Sequence, residues 1–307
     1  MKFAFSTESC PEWDFPTTAG KAREYGYDGV ELRGAASGAM RRLTLDNPAV
    51  HLEILGAFPS AGIEIACIAA PVRLTGDRNA DVHGAEVLRR WIDLSTEFAC
   101  PRVMLRDPEA RRGVSGGAAG MALGEWLSPI ADHALDCGVT LVVCNDATLT
   151  SARLMWTMLE RLHHPAITCC WDLHNGVRAG ESPAVSVPTL NSQIRYARVG
   201  GEAKATADPK AREPGTFSDV QFFLTRLRGV GYGGYVTAAA PPGTAGAALS
   251  LSKGTALSLP AVSLSNPSNP SRGPDEYLRD MVAGLRKWAT PVAAVARRKQ
   301  ETRPKAG

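Results

Sequence analysis

Short apolar runs rich in β-formers alternate with longer segments of helical periodicity along most of the chain, and this alternation constrains the fold more than any other feature. The candidate strands are Lys2–Thr7, Gly29–Arg33, Glu64–Ala70, Arg102–Arg106, Thr140–Asn145, Ile167–His174, Ile194–Gly200 and Gly234–Ala239. Helices are expected over Thr17–Tyr25, Pro48–Ser60, Asp81–Phe98, Met121–Cys137, Ser151–Leu162, Ser218–Leu227 and Pro274–Trp288, with Gly26, Gly62 and Gly138 as stops and Ser218 as an N-cap. Strands separated by helices form parallel sheets, because a parallel neighbour is reached only through a crossover. Two α/β architectures use that plan. A doubly wound sheet that binds a nucleotide needs a Gly-rich phosphate turn after its first strand, and Glu8-Ser9-Cys10-Pro11 is nothing like one. Eight strand–helix repeats over roughly 290 residues match a closed (β/α)8 TIM barrel.

The expected barrel occupies 1–290, and two segments fall outside the repeat. Pro241–Gly273 is built almost wholly of Ala, Gly, Ser, Pro, Leu, Thr and Asn, with Lys253 and Arg272 its only charges, and reads as an insertion after the eighth strand. Residues 291–307 form a basic tail that reads as disordered. In that tail Arg297, Arg298, Lys299, Arg303 and Lys305 stand against Glu301, a net +4, so the formal +3 of the chain leaves about −1 for the rest. The body therefore offers no positive surface large enough for a nucleic acid. The first eight residues already include Lys2 and Glu8, no run approaches a membrane span, and the seven cysteines include no C-x-x-C pair. A reduced, cytoplasmic setting is expected.

Two stretches resemble a known family. Ser6-Thr7-Glu8-Ser9-Cys10-Pro11-Glu12-Trp13 followed by Gly26-Tyr27-Asp28-Gly29-Val30-Glu31-Leu32-Arg33-Gly34 is similar to the opening of xylose isomerase-like TIM barrels, the sugar phosphate isomerases/epimerases. Leu141-Val142-Val143 through Thr150-Ser151-Ala152 to Trp171-Asp172-Leu173-His174 resembles a second part of it. The resemblance implies a divalent metal at the C-terminal mouth, held by a Glu ending strand five, an Asp ending strand six, a His on strand seven and a Glu ending strand eight. In that chemistry the metal polarises two sugar oxygens and the glutamates move the proton. Here those positions fall on Cys144, Asp172, Arg198 and Ala239, so Asp172 is the only retained ligand, and the Lys-Asp that follows the His falls on Gly200-Gly201. The family's His three residues after the Asp falls on Asn175. No cofactor is therefore expected, and Mn²⁺, Mg²⁺, Co²⁺ or Zn²⁺ would need a rearranged site.

Alternation along a strand turns Glu31 and Arg33 toward the barrel interior and Val30 and Leu32 toward the helices. Glu31 and Arg33 read equally as an internal ion pair or as ligand contacts. Asp172 and His174 share a strand face by the same rule, and Glu31, Asp172 and His174 are the acid/base candidates. Arg33, Arg73, Arg106, Arg195 and Arg198 lie at or near strand ends and, if they converge, form a pocket for a phosphate or carboxylate. Arg198 also reads as the neutraliser of Asp172. Cys144, Asp172 and His174 are a weaker set for zinc, and Cys169 and Cys170 point to opposite faces as packing.

Two functions are consistent with these residues. One is a degenerate barrel, a pseudoenzyme, that binds a small sugar-like or phosphorylated ligand; the other is an active isomerase or epimerase with a rearranged or metal-free site. An endonuclease IV-like activity needs a histidine-rich zinc cluster, and His51, His83, His133, His163 and His164 fall on helices or helix ends. Neither membrane nor nucleic acid is an expected partner, and the oligomeric state does not follow from the residues.

Overall fold

Eight parallel strands close on themselves in chain order: β1 (Lys2–Ser6), β2 (Gly29–Arg33), β3 (Glu64–Ala69), β4 (Arg102–Arg106), β5 (Thr140–Cys144), β6 (Ile167–Asp172), β7 (Ile194–Val199) and β8 (Tyr235–Ala238). The ring closes where β1 pairs with β8, Lys2 opposite Tyr235 and Ala4 opposite Thr237. The computed structural model describes residues 1–35, 42–106, 113–146, 148–200, 217–239 and 274–289. Its helices are α1 (Phe15–Tyr25), α2 (Pro48–Ala61), α3 (Arg78–Glu97), α4 (Gly116–Asp136), α5 (Ala152–Leu162), α6 (Leu173–Arg178), α7 (Pro183–Leu190), α8 (Phe217–Gly229) and α9 (Pro274–Ala289). This is a single (β/α)8 TIM barrel. The expected insertion 241–273 and tail 291–307 lie outside the described residues.

Local chemistry sets most helix boundaries. Asp14, Asn47, Asp77, Ser115 and Ser151 each accept an N–H from the first turn of α1 to α5, filling a donor that the helix cannot satisfy itself. Gly26 and Gly62 end α1 and α2 in the left-handed conformation.

The two faces of the strands build two cores. Val30, Leu32, Ile68, Val103, Leu141, Val143, Cys169, Trp171 and Val236 face outward into the layer shared with the helices. Ala4, Ala66, Met104, Val142, Cys144, Cys170, Tyr196 and Tyr235 fill the barrel interior, which is thus a packed core and not a channel. Cys169 and Cys170 do point to opposite faces. At the N-terminal end, Tyr235 donates to Glu64 at 2.7 Å, Lys2 pairs with Glu64 at 2.6 Å, and Arg102 lies over the Tyr235 ring.

Besides the earlier starts of α1, α3 and α4, three differences from the sequence reading concern the end of β6, α7 and α8. Strand six stops at Asp172, because that residue caps α6 by accepting the Asn175 N–H at 3.1 Å. His174 is therefore on a helix and does not share a strand face with Asp172. The short α7 was not expected, since Pro-Ala-Val-Ser-Val-Pro-Thr-Leu contains poor helix formers; burial of Val187 and Leu190 holds it in place. Helix α8 already includes Phe217, so Ser218 lies inside it and is not its cap. Among the described residues no helix is long and apolar enough to cross a membrane.

Candidate ligand site at the barrel mouth

The C-terminal ends of the strands surround a cleft of about 100 Å³, and Cys144, Asp172, Arg198 and Ala239 all line it. Strand register brings them together. Cys144 lies opposite Arg106 and Cys170, and Arg198 opposite Asp172 and Thr237. Ala239 follows β8 and donates its N–H to Val199.

Arg198 is the centre of this arrangement. Its Nη2 stands 3.2 Å from Glu8 Oε2 and 3.3 Å from Glu31 Oε1, and its Nη1 stands 3.5 Å from Asp172 Oδ2. Glu31 is fully buried, and neither of its oxygens has a hydrogen bond of good geometry, so Arg198 is its counter-charge. Burial disfavours the charged guanidinium, but Glu31, Asp172 and Glu8 outweigh it and hold Arg198 protonated. Glu31 thus pairs with Arg198 and not with Arg33.

Glu8 also lines the cleft, and strand arithmetic missed it. It sits in a single 3₁₀ turn (Thr7–Ser9) after β1, where the Ser6 hydroxyl accepts the Glu8 N–H. The Thr7 hydroxyl accepts the Arg33 N–H at 2.9 Å, tying that turn to β2. Burial raises the Glu8 carboxyl, yet Arg198, Arg33 and Arg106 together hold it below its ordinary value. The salt bridge to Arg33 is 3.1 Å.

A second charge cluster involves Asp146, also unforeseen. It accepts from Arg73 at 2.5 Å and from Arg106 at 2.9 Å. Burial raises the Asp146 carboxyl, and the two arginines more than reverse that shift. Of the expected arginines, Arg106 and Arg198 line the cleft while Arg33 and Arg73 reach it only through Glu8 and Asp146, and each of the four is already matched by a carboxylate. Arg195 does not join them: it lies at the start of β7, at the opposite end of the barrel, and is exposed. Strands carry residues to both ends of the barrel, and Arg195 is on the wrong one. Arg178, exposed at the end of α6, also lines the cleft.

Asn145 shapes the floor between β5 and β6. It is completely buried; its side-chain oxygen accepts the Asp172 N–H at 2.6 Å and its Nδ2 donates to the Asp172 carbonyl at 3.1 Å. The amide so extends the β5–β6 ladder by one step, and Asn175 Nδ2 returns a bond to the Asn145 carbonyl at 2.7 Å. Burial pushes the Asp172 carboxyl up to about 6, because Arg198 at 3.5 Å is too far for a short charge-assisted bond. His174 is buried with Nδ1 unpartnered; burial and then Arg178 push it down to about 4, so the ring is neutral at pH 7. Cys144, Asp172 and His174 do not form a compact ligand set. Among the described residues the one group of three or more His, Cys, Asp or Glu with ligand atoms within 4.8 Å of one another is elsewhere.

Gly200 closes the rim between β7 and β8. Its φ is +104°, and a Cβ there would strike the Ala239 carbonyl, which Tyr277 also bonds at 2.8 Å. A second cavity of about 450 Å³ is lined by Leu45, Asp46, Val72, Arg73 and Trp91 among others. Arg73 belongs to that cavity and reaches the mouth through Asp146.

The model of the xylose isomerase-like TIM barrel family matches residues 19–255, and the chain belongs to that family. No curated protein matches it by sequence. Among solved structures, a D-psicose 3-epimerase determined in the presence of D-fructose is 15% identical, with a TM-score of 0.70 over 94% of this chain and 99% of that one. The D-psicose 3-epimerase from Clostridium cellulolyticum H10, with D-tagatose, is 12% identical, with a TM-score of 0.70 over 95% and 100%. The IOLI protein with a bound zinc atom is 12% identical, with a TM-score of 0.68 over 94% and 99%. At these identities the likeness is one of fold.

Proposed function

We propose that this barrel is a degenerate member of the sugar phosphate isomerase/epimerase group. Its mouth binds a small sugar-like or anionic ligand, and the metal-dependent enediolate chemistry is lost. The observation that carries this reading is Arg198, held among Glu8, Glu31 and Asp172 where a strand-seven metal ligand would stand. A hard divalent cation needs several oxygen or imidazole donors. The positions present offer one carboxylate, a thiol, a methyl group and a guanidinium that repels it, so the residues do not fit the metal. A cleft of about 100 Å³ suits the carboxylate or phosphate end of a ligand, with the exposed Arg178 beside it.

The test is calorimetric titration with Mn²⁺, Mg²⁺ and Co²⁺, and separately with ketose phosphates. The expected result is phosphate-dependent binding that Arg178→Ala weakens about tenfold, the loss of one charge-assisted contact of about 1.4 kcal/mol, while Cys144→Ala leaves it unchanged. One equivalent of metal that Asp172→Asn abolishes would restore the metal-dependent isomerase.

A second reading, an isomerase or epimerase with a metal-free site, is favoured by the displaced titrations of Asp172 and His174. Asp172 would act as the base and the neutral His174 as its partner, whereas Glu31 lies beneath Arg198 and reaches a substrate only if Arg198 moves aside. Deuterium wash-in from solvent at the carbon beside a ketose carbonyl, abolished by Asp172→Asn, would establish that activity. A reducing, cytoplasmic setting belongs to either reading and is supported by seven unbridged cysteines, including the adjacent Cys169 and Cys170.

A further inference from the structure

The compact ligand group excluded from the mouth lies on the outer wall at the opposite end of the barrel, where α3 and α4 approach their C-termini. His133 and Cys137 are four residues apart and share one face at the end of α4; Asp93 faces them from α3. His133 Nε2 is 2.7 Å from Asp93 Oδ1 and 3.9 Å from Cys137 Sγ. His133 is about one-third exposed and Cys137 is half-buried, so the group is partly shielded yet open to solvent.

One imidazole nitrogen cannot satisfy both neighbours. If Nε2 carries the proton it donates to Asp93 and leaves the thiol facing an N–H; if it does not, it can accept from the thiol but turns a lone pair on the carboxylate. A divalent cation between the three atoms removes the conflict, since thiolate, carboxylate and neutral imidazole all become donors to it. Their summed charge of −2 also balances the ion. Tetrahedral zinc, with bonds of about 2.0 Å to N and O and about 2.3 Å to S, separates N from O by about 3.3 Å and S from either by about 3.5 Å. Starting from 2.7 and 3.9 Å, with the Asp93 and Cys137 ligand atoms within 4.8 Å of each other, reaching those values takes side-chain movements on the order of 1 Å. Thiolate and imidazole select a borderline-soft ion over Mg²⁺ or Ca²⁺.

We infer that Asp93, His133 and Cys137 form a Zn²⁺ site that staples α3 to α4, with water in the fourth position. Binding releases the Cys137 thiol proton to solvent, so affinity falls as pH drops. The site is independent of the mouth and of the function proposed there.

The experiment strips the full-length protein with a chelator and titrates it with Zn²⁺ and with Co²⁺ as a spectroscopic substitute. One equivalent should bind, and Co²⁺ should give a thiolate-to-metal charge-transfer band. Cys137→Ser should abolish the band, and either Cys137→Ser or His133→Ala should weaken Zn²⁺ binding by at least about 100-fold, since disturbing supporting residues alone costs 10–100-fold. A Cys144→Ser/Asp172→Asn double variant should bind as the parent does. Failure of the parent protein to bind, or binding that survives loss of Cys137 and His133 but not loss of the mouth residues, overturns the assignment.

Discussion

Replacing Arg198 by Met, which keeps much of its volume and removes its charge, isolates what the central guanidinium contributes. At separations of 3.2 to 3.5 Å each of its three carboxylate contacts is worth about 5 kcal/mol of attraction at an effective dielectric near 20. The cost of desolvating these charges offsets most of that sum. Two of the partners retain support: Glu8 keeps Arg33 at 3.1 Å, and Asp172 keeps the Asn175 N–H at 3.1 Å. Glu31 keeps nothing comparable, being fully buried with both oxygens unbonded. The loss should therefore be that of one broken buried pair, about 3–5 kcal/mol. Denaturant unfolding followed by tryptophan fluorescence measures it. Adding Glu31→Gln should recover at least half, because the second change removes the stranded charge; the cycle then reports the coupling. A loss under about 1 kcal/mol for Arg198→Met, or no recovery in the double variant, would refute the view that Arg198 neutralises Glu31.

Other outcomes follow from the same geometry. Asn145→Ala strands the buried N–H and carbonyl of Asp172, so stability should fall by about 2–4 kcal/mol and exchange of the Asp172 amide should accelerate; slow exchange in the variant would show the side chain is not a ladder step. Gly200→Ala should cost more than about 2 kcal/mol in denaturant, because it adds backbone strain to a clash with Ala239, whereas Gly26→Ala, with open space around it, should cost about 1 kcal/mol. The pH dependence has two opposing parts. His174 falls from 6.5 to about 4, so the unfolded chain binds its proton first and stability drops as pH is lowered from about 6.5 to 4. Asp172 rises from 3.8 to about 6, so the folded chain binds its proton first and stability drops as pH is raised from about 4 to 6. Relative to the parent, His174→Gln should therefore tilt the melting profile toward higher stability at acid pH, and Asp172→Asn toward lower.

The barrel was legible because its periodicities are local: Gly29–Arg33 and Arg102–Arg106 match the strands residue for residue, and capped helices such as α2 and α5 begin within a residue or two of their expected starts. The inward turn of Glu31 and outward turn of Val30 and Leu32 also followed from alternation alone. The charge pairing was not legible in the same way. Which acid meets Arg73 and Arg106 depends on Asp146 in the loop after β5, and Glu8 reaches the centre only because Ser6 turns the chain after β1. The end of β6 was hidden within the apolar stretch Ile167–Leu173, where an aspartate reads as a strand residue until its side chain caps a helix. Asn145 carries no periodic signal at all, because its role is to imitate backbone.

The mouth separates position from chemistry. Strand register alone puts Cys144, Asp172, Arg198 and Ala239 around one cleft, and it would do so whatever side chains they carried. Their chemistry is another matter. A guanidinium brings one positive charge and up to five N–H donors, enough to hold carboxylates in register and to hydrogen-bond an oxyanion. It has no vacant coordination position with which to bind two neighbouring sugar oxygens as a metal does. In the metal-free reading proposed above, Asp172 and His174 are the acid/base pair, and burial has moved their titrations in opposite directions. A bulk metal analysis cannot decide this question alone, since zinc held by Asp93, His133 and Cys137 would count as one equivalent while leaving the mouth metal-free. Only the comparison of Asp172→Asn with Cys137→Ser assigns that equivalent to one end of the barrel or the other.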